Sequence, residues 1–133
     1  MAELQRFQIR TNGNGFYDIT REVCACLART GVSSGLAVVF CPHTTAGITI
    51  NENADPDVVS DLKWTFDTVF PKRREYRHGE GNSDAHVKST LTGASLTVIV
   101  EGGRPLLGTW QGIYFAEYDG PRTRTCYVKA VEG

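Results

Sequence analysis

The chain has 133 residues, of which 41% are apolar, the size and composition of one domain built around one hydrophobic core. Its 14 basic and 15 acidic residues leave a formal net charge of −1, which excludes a whole-chain electrostatic grip on nucleic acid or on an anionic membrane surface. No stretch approaches the roughly 20 apolar residues that a membrane span needs, and the opening MAELQRFQIR lacks the apolar middle of a signal peptide, so a cytoplasmic protein is expected.

Phe7 and Ile9 alternate with polar residues and predict a short strand, closed by the turn signal from Thr11 to Gly15. Ile19, Val23, Cys26 and Leu27 then recur at helical spacing, with Asp18 placed to cap the start and Gly31 to end the helix. Leu36 to Phe40 is an apolar run of strand length, and Ile48 and Ile50 alternate as the next strand would. Asp55-Pro56-Asp57 is a helix start, with a capping acid and proline at the first helical position. The helix should run to about Phe70, offer Val58, Val59, Leu62, Phe66 and Val69 as its apolar face, and stop at Pro71.

The basic run from Lys72 to Arg77 reads as a solvated loop. Asn82-Ser83-Asp84 can cap a third, short helix that carries His86, Ser89 and Thr90 and ends at Gly93. Strands are expected at Leu96–Val100, Leu106–Trp110, Ile113–Tyr118 and Thr123–Val131. Strands cluster late and helices interrupt early, so the pattern is that of an α+β domain over residues 1–133, with largely antiparallel sheets, two longer helices and one short one.

Four cysteines, Cys24, Cys26, Cys41 and Cys126, form no CxxC and no zinc-ribbon spacing, and reduced thiols are expected. Cys41 lies two residues from His43, yet no third group is placed to orient a thiolate pair, so packing is its expected role. Trp64 and Trp110 are expected in the core or at an interface.

The three histidines are the informative feature, because each sits in a polar, turn-like context. His43 follows a strand, His78 lies in the loop Arg77 to Asn82, and His86 sits one or two turns into the short helix. Three imidazoles around a divalent ion leave positions open for water or substrate; capping of loops and carboxylates is the competing account of the same residues. No pair follows the HExxH spacing, so convergence has to come from the fold. Gly79 to Asp84 can form an anion cradle at a helix start or an ordinary surface loop with an N-cap. Arg104, Arg122 and Arg124 stand beside turns, where they can fork onto phosphate or simply face water. Glu52 is a candidate general base, while Asn51 and Asp55 also suit turns and caps.

Cys41-Pro42-His43-Thr44-Thr45-Ala46-Gly47 with Ile50 to Asn53, then His78 to Asn82 with Ser83 to His86, and finally Gly108 to Gln111 with Asp119 to Arg122, resemble the YjbQ family across nearly the whole chain. The resemblance implies an α+β domain assembled as a homotrimer, with His43, His78 and His86 in a polar pocket, and a thiamine-phosphate-synthase-like transferase activity as a main or side function. Such a reaction requires stabilisation of a departing diphosphate by cations and N–H donors. The expected catalytic set is His43, His78, His86 and Glu52, with the histidines also holding a divalent metal, zinc before nickel, iron or copper. Thr44, Thr45, Asn51, Gly81, Asn82, Ser83, Ser89, Arg104 and Arg122 are the expected contacts to a phosphorylated small molecule. A metal-dependent phosphoesterase and a non-catalytic metabolite-binding protein remain the alternatives.

Overall fold

The computed structural model describes residues 3–133. In chain order they form β1 (Gln5–Arg10), β2 (Gly15–Asp18), α1 (Thr20–Thr30), β3 (Ser34–Phe40), β4 (Ala46–Glu52), α2 (Pro56–Val69), α3 (Ser83–Thr92), β5 (Ser95–Glu101), β6 (Arg104–Pro105), β7 (Gln111–Glu117) and β8 (Thr123–Glu132). Every pairing is antiparallel: β1-β8-β3-β5-β6 make a five-stranded sheet and β2-β7-β4 a three-stranded one. The α+β class read from the sequence therefore holds. The third helix, at 10 residues, is only slightly shorter than α1 at 11.

The inner faces of both sheets and one face of α1 close the main core. Val23 and Leu27 of α1 meet Val39, Ile48, Phe115 and Val128, all between 0 and 2% exposed. Burial of side chains of this size stabilises the fold by about 1.5–3 kcal/mol each. Strand β7 is covered on both faces, because its alternation sends Ile113 and Phe115 into this core and Ala116 the other way. There Ala116 and Tyr118 join Ala85, Phe16 and Phe66 in a smaller cluster beneath α2 and α3.

The helix boundaries follow local chemistry. The Asp18 carboxylate accepts the Thr20 N–H at 2.9 Å, and Gly31 ends α1 in the left-handed conformation at φ 72°. Asp55 accepts the Asp57 N–H at 2.9 Å and Pro56 opens α2. The apolar face expected of α2 is only half covered: Phe66 stacks on Tyr118 at 5.9 Å, while Val69 stays 51% exposed. Trp64 and Trp110, 69% and 63% exposed, lie outside the core, which leaves an interface as their expected place.

Helix α3 is seated on β4 by close approach. A Cβ on Gly47 would lie 2.7 Å from the Gly93 carbonyl oxygen, so only glycine lets the helix end come this near. Ser89 Oγ donates to the Ala46 carbonyl at 2.7 Å, and the Ile48 N–H donates to Gly93 at 3.1 Å. These contacts fix the far end of the helix, where Asn82 and His86 stand.

Two strand expectations change. Gly15–Asp18, where the reading placed only the end of a turn at Gly15 and a helix cap at Asp18, pairs with β7 as β2. Leu106–Trp110 forms no strand; only Arg104–Pro105 pairs with β5, because Gly108 turns the chain and is closed by the Gln111 side chain at 2.8 Å.

Candidate functional site

Strands β3 and β4 belong to different sheets, so the link Cys41 to Thr45 must cross between them. His43, Thr44 and Thr45 stand on this crossing. The loop from β7 to β8 brings Asp119 and Arg122 alongside, with Arg124 on β8, and the segment before α3 supplies His78, Glu80, Asn82 and His86. Together they line one cleft of about 410 Å³, within the usual size of a small-molecule site.

The cleft floor is a buried ion pair. Glu117 is 0% exposed and Arg124 4%. Arg124 Nε donates to Glu117 Oε1 at 2.8 Å, and Nη2 donates to Glu117 Oε2 and to Thr45 Oγ1. Glu117 also accepts the Thr11 hydroxyl at 2.8 Å and the Asp119 N–H at 3.1 Å. Burial alone would raise the Glu117 carboxyl pKa, but the bonds from Arg124, Asp119 and Thr11 outweigh it and hold the group below the ordinary glutamate range. Among the described residues Arg124 Nη1 has no hydrogen-bond partner, which leaves it for a ligand in the cleft.

Asp119 orders the rim. Its Oδ2 accepts from Asn82 Nδ2 at 2.8 Å and from Arg122 Nη2 at 2.9 Å, while its carbonyl accepts Arg122 Nε at 2.8 Å. Asn82 is the N-cap of α3, yet its side chain makes no capping bond. It is 8% exposed, and its buried Oδ1 has no hydrogen-bond partner among the described residues. An unmet buried acceptor costs about 1–3 kcal/mol, so this oxygen marks a place for a donor or a cation.

The histidines divide into a pair and a single ring. His78 and His86 meet edge to face with ring centres 5.3 Å apart. Two imidazoles on one tetrahedral ion, each at roughly 2.0–2.1 Å, have centres about 5 Å apart, a spacing that this pair matches. His43 is set differently: its Nε2 accepts the Thr125 N–H at 2.9 Å, which puts the proton of the neutral ring on Nδ1. Burial, and then the charge of Arg124, lower the His43 pKa. The expected three-histidine cage is accordingly not assembled, and among the described residues no group of three or more His, Cys, Asp or Glu side chains stands ready to hold an ion. The backbone of β8 has claimed the nitrogen that the third ligand would use.

Of the other residues expected here, Thr44, Thr45, Asn82 and Arg122 line the cleft. Gly81 closes a turn onto the His78 carbonyl at 3.1 Å, and Ser83 faces an adjoining cavity. Four stand elsewhere. Ser89 is spent on Ala46, Asn51 accepts the Glu52 N–H, and the Glu52 carboxylate accepts the Asp55 N–H before α2. Arg104 lies beside Cys24 in a separate cavity against α1. The sequence reading named Arg124 as a candidate phosphate contact and Glu80 only as part of the Gly79–Asp84 cradle, and it gave no role to Asp119 or to the Glu117 that holds Arg124. The available signal was an acid at the inward position after Ile113 and Phe115, which demands a buried cation as partner.

All four cysteines are free, and burial raises the Cys41 thiol pKa, as suits a packing role. Among the described residues no helix is long and apolar enough to cross a membrane.

Two antiparallel sheets bridged by a histidine-lined crossing define a small α+β protein with a polar cleft. The family model described as "UPF0047 protein YjbQ-like" matches residues 5–133, and the chain belongs to this family. It is 62% identical to the UPF0047 protein YugU of Bacillus subtilis over 128 residues, covering 95% of this chain and 97% of that one. A crystal structure of an uncharacterised YjbQ/UPF0047-family protein from Clostridium acetobutylicum is 55% identical and superposes with a TM-score of 0.92 over 96% of this chain and 99% of its own. A YbjQ-like protein of unknown function from Sulfolobus solfataricus, at 27% identity, keeps a TM-score of 0.93 over 100% and 99% of the two chains.

Proposed function

We propose that the protein is a metal-assisted cytoplasmic enzyme acting on phosphorylated small molecules, with a thiamine-phosphate-synthase-like transfer among its activities. The observation that carries this reading is the pairing of opposite demands in one cleft. Asn82 Oδ1 and the His78–His86 pair call for a cation, while Arg124 Nη1 and Arg122 call for an anion.

His78 and His86 would hold the divalent ion, which supplies charge neutralisation at phosphoryl oxygens. The remaining work falls to the chain itself. Arg124, held by Glu117 and Thr45, presents its free nitrogen to the anion without the entropy cost of ordering a long side chain. Arg122, steadied by Asp119, closes the rim. His43 offers a proton on Nδ1 to a ligand oxygen and stays neutral while doing so. In the proposed transfer a thiazole nitrogen bonds to the pyrimidine methylene carbon as the carbon–oxygen bond to diphosphate breaks, and diphosphate leaves toward these donors.

The test is metal content of protein purified without a histidine tag, followed by turnover of pyrimidine methyl diphosphate with thiazole phosphate. About one ion per chain and release of diphosphate are expected. Metal-loaded protein that leaves these substrates and simple phosphomonoesters untouched sinks the enzymatic reading and favours a binding protein.

The proposal includes a homotrimer. Its support is the outer face of the five-stranded sheet, where Leu36, Val38 and Phe40 of β3, Ile99 of β5 and Val131 of β8 are each 41–57% exposed. Light scattering should give three times the chain mass at micromolar concentration; a monomer mass defeats it.

A further inference from the structure

Strand β8 lies between β1 and β3, and its inward positions alternate as Arg124, Cys126, Val128 and Ala130, all buried. Across the ladder, β3 turns Ala37 and Val39 inward opposite Ala130 and Val128. One further step in the same register sets Cys41 opposite Cys126. The chain is still extended there, because the Cys41 N–H donates to the Ala94 carbonyl at 2.7 Å, in step with the β5 pairing that runs to Phe40 and Ser95. Both cysteines are buried, and their side chains share the inner face of the sheet.

The backbone hydrogen bonds fix the kind of cross-strand pair. The Thr11 N–H donates to the carbonyl of Arg122, just before β8, so even-numbered residues along this line bond toward β1. The Thr125 N–H points instead to His43, and the Gly133 N–H to the Ser34 carbonyl, so odd-numbered residues bond toward β3. Cys126 and Cys41 therefore form a non-hydrogen-bonded pair, the kind in which Cα atoms lie about 4.5 Å apart and side chains come closest. A disulfide needs Cα atoms roughly 4.4–6.8 Å apart, so the fold holds two thiols within bonding reach. Burial, and then the neighbouring sulfurs of Cys41 and Cys26, push the Cys126 thiol up to about 12, and burial raises that of Cys41 as well. At neutral pH both are protonated, so they react slowly and only with an oxidant small enough to reach them.

We infer that Cys41 and Cys126 are a modification site, at which a water-sized peroxide oxidises the pair to a cross-strand disulfide that clamps the His43 crossing onto β8. One thiolate attacks hydrogen peroxide, its sulfur takes one oxygen as sulfenic acid, and hydroxide leaves and takes up the thiol proton. The second sulfur then attacks the first, the S–S bond forms and the oxygen departs as water. Two thiols and one peroxide thus give one disulfide and two waters, the sulfurs losing two electrons to the peroxide oxygens. The new bond closes a short ring through Cys41, Pro42, His43, Thr125 and Cys126, whose other link is the 2.9 Å hydrogen bond from the Thr125 N–H to His43 Nε2. Oxidation therefore fixes the His43 ring where the reduced protein holds it by a single hydrogen bond. The inference is independent of what the cleft binds.

The experiment uses the native, full-length Cys24→Ser protein, which lacks the half-buried thiol. It is treated with a small excess of hydrogen peroxide under mildly alkaline conditions, its remaining thiols are alkylated in denaturant, and tryptic peptides are mapped without reduction. Peptide 30–63, which carries Cys41, should be joined to peptide 125–129, which carries Cys126, and dithiothreitol should separate them. Peptide 22–29 should carry an alkylated, unlinked Cys26. In the oxidised protein the Thr125 amide should exchange with solvent at least about tenfold more slowly than in the reduced protein, because local opening at the crossing is blocked. Adding Cys126→Ala should abolish both effects, and adding Cys26→Ala should keep both. Peptide mapping of the Cys24→Ser parent decides even where Cys126→Ala does not fold. Absence of the joined peptide, or a link from Cys26 to either sulfur in its place, overturns the inference. A joined peptide with unchanged Thr125 exchange overturns it too, because the bond then clamps nothing.

Discussion

Glu117→Gln is expected to destabilise the protein by about 3 kcal/mol or more, although it changes neither shape nor volume. The substitution removes the charge that compensates Arg124, and both side chains lie almost wholly out of water. Guanidinium cannot shed its proton, so Arg124 is left buried with an amide where a carboxylate was. An unfolding midpoint about 10 °C lower follows for a chain of this size. Replacing both partners, Glu117→Leu with Arg124→Met, should recover most of the stability, since the desolvation cost disappears with the charges.

The same pair gives a pH dependence with a definite sign. The folded Glu117 pKa is depressed, so the unfolded chain binds the proton more readily. Its stabilising contribution is complete above the ordinary glutamate value of 4.5 and is lost as pH falls from there through the folded pKa. Denaturant midpoints from pH 7 down to pH 3 should drop more steeply for wild type than for Glu117→Gln. A variant within 0.5 kcal/mol of wild type at pH 7, a difference about the size of a neutral surface change, would show that the pair does not hold the cleft floor.

The parts of the fold that local chemistry decides were legible in the sequence. Asp55-Pro56 and Gly31 bound their helices through backbone geometry that a few neighbours determine, and the alternation of β7 was readable over Ile113 to Tyr118. Which sheet each strand joins was not, because that depends on pairing between residues as distant as Gln5 and Val128, and so β2 went unread between a turn and a helix cap. The same limit explains the site. Thr45 and Glu52 flank and end the seven-residue strand β4, which separates them by roughly 20 Å of extended chain, so Asn51 and Glu52 were placed at the wrong end of it. Arg104 and Arg124 both stand beside turns, and nothing local distinguishes the arginine that β8 turns onto Glu117 from the one that β6 leaves against α1. His43 was legible as a polar residue after a strand, and it lines the cleft, but its tie to Thr125 depends on how β8 lies against the sheet crossing.

That tie separates the histidines in a way that substitution can read. His86→Ala should remove the bound ion and lower turnover on the proposed substrates by about 10³-fold or more, because the edge-to-face pair loses one of its two imidazoles and the ion loses a ligand. The fold should survive, since the His86 ring lies between two cavities rather than in either apolar cluster. His43→Ala should act differently. Its Nε2 is held by the Thr125 N–H and its free proton is on Nδ1, so the ion should stay at full occupancy while turnover falls by roughly 10²-fold, the scale of a lost proton donor. His43→Gln, which keeps a donor near that position, should restore part of the loss. Metal content, unfolding midpoint and turnover measured together on wild type and the three variants decide the matter. If His43→Ala strips the metal as completely as His86→Ala, His43 must leave Thr125 to ligate, and the triad replaces the pair. If a stable His86→Ala variant keeps its ion and its turnover, the His78–His86 pair is not the metal site.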